Sequence, residues 1–159
     1  METVAQHLLW YLPMLWLGMV LAISFLEAPL KFRAPGITVP LGLGIGRLVF
    51  RALNVAETVL VAVLIVATLV VGPSGAVRVW LGVTAAILAV QLLVVRPLLT
   101  RRSDRVLAGA DLPRSRAHYW YIGLEVAKVV SLIGVAVVSA EFRADMAQPL
   151  VSECGKRRG

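Results

Sequence analysis

The run Arg47-Leu-Val-Phe50-Arg51-Ala-Leu-Asn54-Val-Ala-Glu57-Thr58-Val-Leu-Val-Ala-Val-Leu-Ile-Val-Ala-Thr-Leu-Val-Val71 decides the fold. Its second half is unbroken and aliphatic, and 48–71 is long enough to cross a hydrocarbon core of about 30 Å at about 1.5 Å per residue. Its first half carries Arg47, Phe50, Asn54 and Glu57 at steps of +3, +4 and +3. That spacing stacks the four along one stripe of a 3.6-period helix. Glu57 thus enters the membrane on a polar face, an expensive placement that marks a site to be explained.

Three further apolar runs lie around it, 8–30, 77–95 and 119–138. Hydrophobic residues make up 59% of the 159, with mean hydropathy +0.85, whereas soluble domains are about 45–50% apolar. The expected fold is all-α, an integral membrane four-helix bundle in one domain over 1–140, followed by a polar tail over 141–159. The first run is expected to persist as a helix, since no basic segment precedes it and no small-residue cleavage site closes it. Gly72-Pro-Ser-Gly75 predicts a tight turn that makes the second and third helices antiparallel neighbours. The connection 34–46, rich in proline and glycine, predicts a non-helical loop. Its Gly42-x-Gly44-x-Gly46 before Arg47 would offer backbone N–H groups to an anion.

A net charge of +7 would suggest nucleic acid in a soluble chain, but its distribution points elsewhere. Ten of the sixteen basic residues fall in two connections: Lys31, Arg33, Arg47 and Arg51, then Arg96, Arg101, Arg102, Arg105, Arg114 and Arg116. The positive-inside rule places both connections in the cytoplasm and both termini outside a plasma (inner) membrane. No nucleic-acid partner is expected; the bilayer is the first partner. Trp10, Tyr11 and Trp16 suggest anchors at the outer interface and packing. The lone cysteine, Cys154, excludes an internal disulfide.

The fourth run repeats the opening pattern. His118, Tyr121, Glu125 and Lys128 again step +3, +4 and +3 inward from a basic connection, and Pro29 and Pro97 each precede such a connection. Both features suggest two hairpin repeats about an axis along the membrane normal. Counting about 1.5 Å per residue from the nearest cytoplasmic charge, Glu27 and Gln91 lie roughly 6–8 Å deep, Glu57 and Glu125 roughly 9–15 Å, and Lys128 roughly 18 Å. Three carboxylates with one lysine need a proton, a cation or a flanking arginine for balance, because unpaired buried charge is not tolerated. Two readings follow. In one, Glu57–Lys128 and Glu27–Arg96 pair as a self-neutralising network, with Glu27–Lys31 as a further i,i+4 pair. In the other, Glu57, Glu125, Lys128, Asn54, Arg47, His118, Tyr121, Glu27 and Gln91 line a pocket, open to the cytoplasm, that binds or transports a small solute, proton or ion.

His118 and Glu125 have the wrong order and spacing for the Glu-x-x-His pairs of a di-iron bundle. His7 and His118 fall on opposite sides, which disfavours bis-histidine haem, and no nucleophile–base arrangement is evident. Residues His7, Trp16, Pro29, Phe32-Arg33, Gly46-Arg47-x-x-Phe50, Arg96-Pro97, Arg101 and Arg116-x-His118 resemble the small four-span family typified by human transmembrane protein two-hundred-and-five. That resemblance implies the four-helix fold and no established chemistry. Arg47-x6-Asn54-x2-Glu57, with Arg51-Ala52 between, is similar to the second-helix signature of the membrane-associated eicosanoid and glutathione metabolism family. This second resemblance implies a homo-oligomeric, glutathione-dependent membrane enzyme for a lipophilic substrate, with Arg47, Arg51, Asn54 and Glu57 on the glutathione. Departures from it are the absence of a proline soon after Glu57 and the presence of Glu27, Glu125 and Lys128.

Overall fold

The computed structural model describes residues 2–107 and 116–156, with side chains for 2–101, 104–105 and 120–144. Expectations placed on the side chains of Arg102, Arg116, His118 and Cys154, and on Arg114, fall outside the described residues. Four long helices form the chain: α1 over Glu2–Arg33, α2 over Val39–Val71, α3 over 75–107 and α4 over Arg116–Lys156. Each contains a stretch long and apolar enough to cross a membrane. The protein is therefore a multi-pass, all-α membrane bundle. The fourth helix runs through the stretch expected as a polar tail as far as Lys156.

Successive helices are antiparallel neighbours, and α1 closes the ring against α4. Trp10 of α1 stacks under the Arg143 guanidinium of α4 at 4.7 Å, so the start of α1 and the far part of α4 share one end. The end of α1 and start of α2, with the end of α3 and start of α4, lie at the other, the basic end. Each helix buries a narrow stripe: Ala5, Leu9, Pro13, Trp16 and Val20 on α1, and Val77, Leu81, Thr84, Leu88, Gln91 and Val95 on α3. Outside these stripes large aliphatics face outward, Leu69 at 80% and Leu93 at 76% exposure, the pattern of helices solvated by lipid tails.

Two expectations need correction. The glycines of 42–46 are helical, not a loop. Thr38 caps the helix, its Oγ1 accepting the Leu41 N–H at 3.4 Å, and Pro40 occupies the first turn, where no N–H is required. Gly42 and Gly46 sit one turn apart and buried against α1. A Cβ on Gly42 would overlap the Phe32 ring, and one on Gly46 would come within 2.7 Å of Lys31 Nζ. They act as small residues that admit a close helix neighbour.

The second correction concerns Pro97, which does not end the third helix. The Arg96 N–H reaches back five residues to the Gln91 carbonyl, and the Ala28 N–H reaches back five to Ile23, each just before a proline. In an α-helix the proline ring would strike the carbonyl four residues back. The wider turn, 91–95 on α3 and 21–27 on α1, relieves that clash and lets both helices continue. Both hairpins therefore carry the same backbone device two residues before the equivalent proline. At the opposite end, Gly72 adopts the left-handed conformation at φ 61° and donates to the Thr68 carbonyl at 3.0 Å, so α3 starts only three residues after α2 ends.

Candidate functional site

The helix stripes bring polar groups from all four helices to one buried place. Lys128 of α4 donates to Glu57 Oε1 of α2 at 2.7 Å and lies 3.4 Å from Glu125 Oε1, one turn earlier on its own helix. Trp16 of α1 donates its indole N–H to Glu57 Oε1 at 2.9 Å. Gln91 of α3 donates through Nε2 to Glu125 Oε1 at 3.1 Å. Glu57 and Lys128 are 0% exposed, Glu125 and Gln91 2%. These groups have no competing solvent, so each charge depends on the partners named here.

Asn54 and Arg96 extend the network toward the basic end. With its amide oriented so that both of its groups pair, Asn54 donates to Glu57 Oε2 at 3.2 Å and accepts from Arg96 Nε at 3.3 Å and from Arg96 Nη1. Glu57 thus receives Trp16 and Lys128 on one oxygen and Asn54 on the other. Glu125 is served less well: its Oε2 has no partner among the described residues, nor has Gln91 Oε1 or the Tyr121 hydroxyl. Tyr121 sits one turn before Glu125, its ring edge-on to Phe50 at 5.4 Å. On the other side, Ser131 donates to the Lys128 carbonyl at 2.9 Å and accepts from Thr84 at 2.9 Å. This fixes the turn that carries the lysine against α3. Beyond it Leu64, Leu88 and Leu132 are buried and aliphatic.

Of the residues singled out from sequence, Asn54, Glu57, Gln91, Glu125 and Lys128 come together, with Tyr121 adjoining. Glu27 stands apart: it pairs with Lys31 at 3.2 Å, and not with Arg96. Lys31 also lies 5.3 Å from the Phe50 ring centre, so the rim is tied together by that ring and the Glu27 carboxylate. Arg47 is exposed and bridges to Asp104 of α3, and Arg51 is exposed beside it. Trp16, grouped with Trp10 and Tyr11 as interface anchors and packing, is 0% exposed and packs as a ligand of Glu57. Arg96, considered only as a partner for Glu27, is the arm that reaches Asn54. A signal for Trp16 existed: it lies on the same stripe as Leu9 and Val20, well inside the span.

His7 is exposed, donates through Nδ1 to the Thr3 carbonyl at 2.6 Å, and stacks on Tyr11 at 6.1 Å. Near that end, an apolar groove of about 500 Å³ runs between Val4 and Leu8 of α1 and Val63, Val66 and Val70 of α2. Among the described residues no three His, Cys, Asp or Glu side chains gather as a metal site. The arrangement is a buried charged triad of Glu57, Glu125 and Lys128, with polar atoms left unpaired at Glu125, Gln91 and Tyr121 among the described residues. Compared with protein-family models, with curated proteins and with solved structures, the chain matches none, and both resemblances drawn above rest on the quoted residues alone.

Proposed function

We propose that this protein is a membrane carrier that binds a proton, small ion or small polar solute at the Glu57–Lys128–Glu125 cluster and exchanges it with the cytoplasm through the basic end. One observation carries the reading: two carboxylates and a lysine are completely buried at the meeting point of four membrane helices, where such groups are costly and mark transport pathways. Exchange requires opening on the side of Asn54, Arg96 and Tyr121, because the opposite side is sealed by leucines. The positive-inside rule supports placing the basic end in the cytoplasm.

The glutathione alternative calls for Arg47, Arg51, Asn54 and Glu57 around one accessible tripeptide. The carrier reading is preferred because Glu57 and Asn54 are committed to Lys128, Trp16 and Arg96, whereas Arg47 pairs with Asp104 at the rim. Purified protein in proteoliposomes tests the choice. Wild type is expected to dissipate an imposed pH or cation gradient, and Lys128→Met and Glu125→Gln to do so far more slowly. Gradient decay no faster than in empty vesicles would remove the carrier reading. Thermal stabilisation by glutathione, with no response to pH or cations, would replace it with the enzyme.

A further inference from the structure

Glu125 and Gln91 share one hydrogen bond, and the two atoms left over belong to the same two groups. Gln91 Nε2 donates to Glu125 Oε1 at 3.1 Å, and Gln91 Oε1 and Glu125 Oε2 are both buried without a partner among the described residues. Two bare acceptors in a dry site are two costly unsatisfied groups. A single proton on Glu125 Oε2 changes this, since the carboxyl O–H can then donate to Gln91 Oε1. The pair becomes a cyclic acid–amide dimer with both groups satisfied.

The pairing distances point the same way. Glu57, Glu125 and Lys128 carry two negative charges against one positive, and Arg96 brings the four to zero when both carboxylates are ionised, so what matters is which carboxylate the cations reach. Lys128 is nearer Glu57, 2.7 Å against 3.4 Å, and Glu57 also accepts from Trp16 and Asn54. Arg96 of α3, the other cation facing the cluster, is held by Asn54 on the Glu57 side. Tyr121 of α4 adjoins Glu125 as a neutral phenol, and α1 contributes only the Trp16 indole. Where two carboxyls compete for one ammonium, the better-solvated one ionises and the other keeps a proton.

We infer that Glu125 is the proton-carrying group of this protein, held as a carboxylic acid hydrogen-bonded to Gln91, with Glu57–Lys128 as a permanent ion pair. The inference builds on the carrier reading and narrows its cargo to the proton. Loading adds one proton, taken from water at the basic end, to Glu125 Oε2 and makes that group neutral. Unloading returns it and leaves Lys128 shared between two carboxylates.

Infrared spectroscopy of the purified protein at neutral pH tests this apart from any flux. Wild type and the rim control Glu27→Gln are expected to show a carboxylic-acid C=O stretch that shifts down in deuterated water. Glu125→Gln, which can still pair with Gln91 through its own amide and should fold, is expected to lose it. In Gln91→Leu the stretch is expected to move to higher frequency, because its hydrogen-bond acceptor is gone. Absence of the band in wild type means that Oε2 is an ionised carboxylate served by Tyr121 or water, and overturns the inference. A band that ignores Gln91→Leu and moves with Trp16→Phe puts the proton on Glu57 and overturns it equally. A band that behaves as expected in a protein without flux sinks the carrier and leaves the protonated Glu125 standing.

Discussion

Two glutamate–lysine pairs in this molecule have the same chemistry and opposite consequences. Glu27–Lys31 closes at 3.2 Å between neighbours on one helix, at the rim, with the Glu27 side chain 31% exposed. Glu57–Lys128 closes at 2.7 Å between diagonal helices, with both side chains 0% exposed. At the rim the carboxylate is open to water when the pair separates, although Lys31 is only 9% exposed, so the pair contributes about 0–1 kcal/mol. In the core neither charge has an alternative, and removing one strands the other, a loss of about 3–5 kcal/mol. The lesson is that depth, not the pairing, decides which ion pair the bundle depends on.

The largest expected effect is all-or-none and settles which side the rim pair faces. In intact cells a membrane-impermeant maleimide should label Cys154, while a cysteine placed at Ser103 should react only after the membrane is opened. The reverse labelling would turn the rim pair and the basic end outward. Next comes the core pair itself. Lys128→Met should lower unfolding free energy in detergent by about 3–5 kcal/mol, and adding Glu57→Gln should restore part of that, because the stranded carboxylate is neutralised. An unchanged unfolding curve for the single variant would make the buried pair no different from the rim pair.

Arg96 tests the ground between them. It is half-buried and bonded to Asn54, so Arg96→Leu is expected to cost about 1.5–3 kcal/mol, the range for hydrogen bonds to charged groups. A loss as large as that of Lys128→Met would show that Arg96 belongs to the core's charge balance. Smallest of all, Glu27→Gln should change stability by no more than about 1 kcal/mol, and the little it does change should fade in high salt. A larger loss at high salt would show that the rim is drier than its exposure indicates.

Much of this was legible before any coordinates. The four spans followed from apolar run length, and the stripes Asn54–Glu57 and Glu125–Lys128 followed from helical spacing, because period and length are local properties of a sequence. Arg47 belongs to the first stripe by spacing yet ends on Asp104 at the rim, since a stripe gives a face and not the reach of its outermost side chain. Residue counting gives depths of roughly 6–8 Å for Gln91 and roughly 9–15 Å for Glu57, but their partners depend on how four helices rotate about their axes. Tryptophan suits both interfaces and packing, so its identity alone leaves the role of Trp16 open, and only packing against α2 reveals the indole N–H as a carboxylate donor. The glycines 42 and 46 misled because composition reads as loop where Thr38 and Pro40, a cap and a first-turn residue, start a helix.

The wide turns before Pro29 and Pro97 bear on how the chain tolerates insertion and deletion. A turn closed over five residues holds one residue more than the α-helical turn it replaces. The helix beyond 91–95 is therefore out of phase, by about 100°, with a straight continuation of the helix before it. That offset is what sets the direction of Arg96 relative to Gln91. Removing a single residue from 92–95 would let the same N–H reach the Gln91 carbonyl over four residues, as in an ordinary α-helix, and would leave both the apolar stripe from Val77 to Leu88 and the direction of Arg96 in place. Along α3 the reading frame of the bundle is thus kept by a local surplus in the backbone as well as by the order of its side chains.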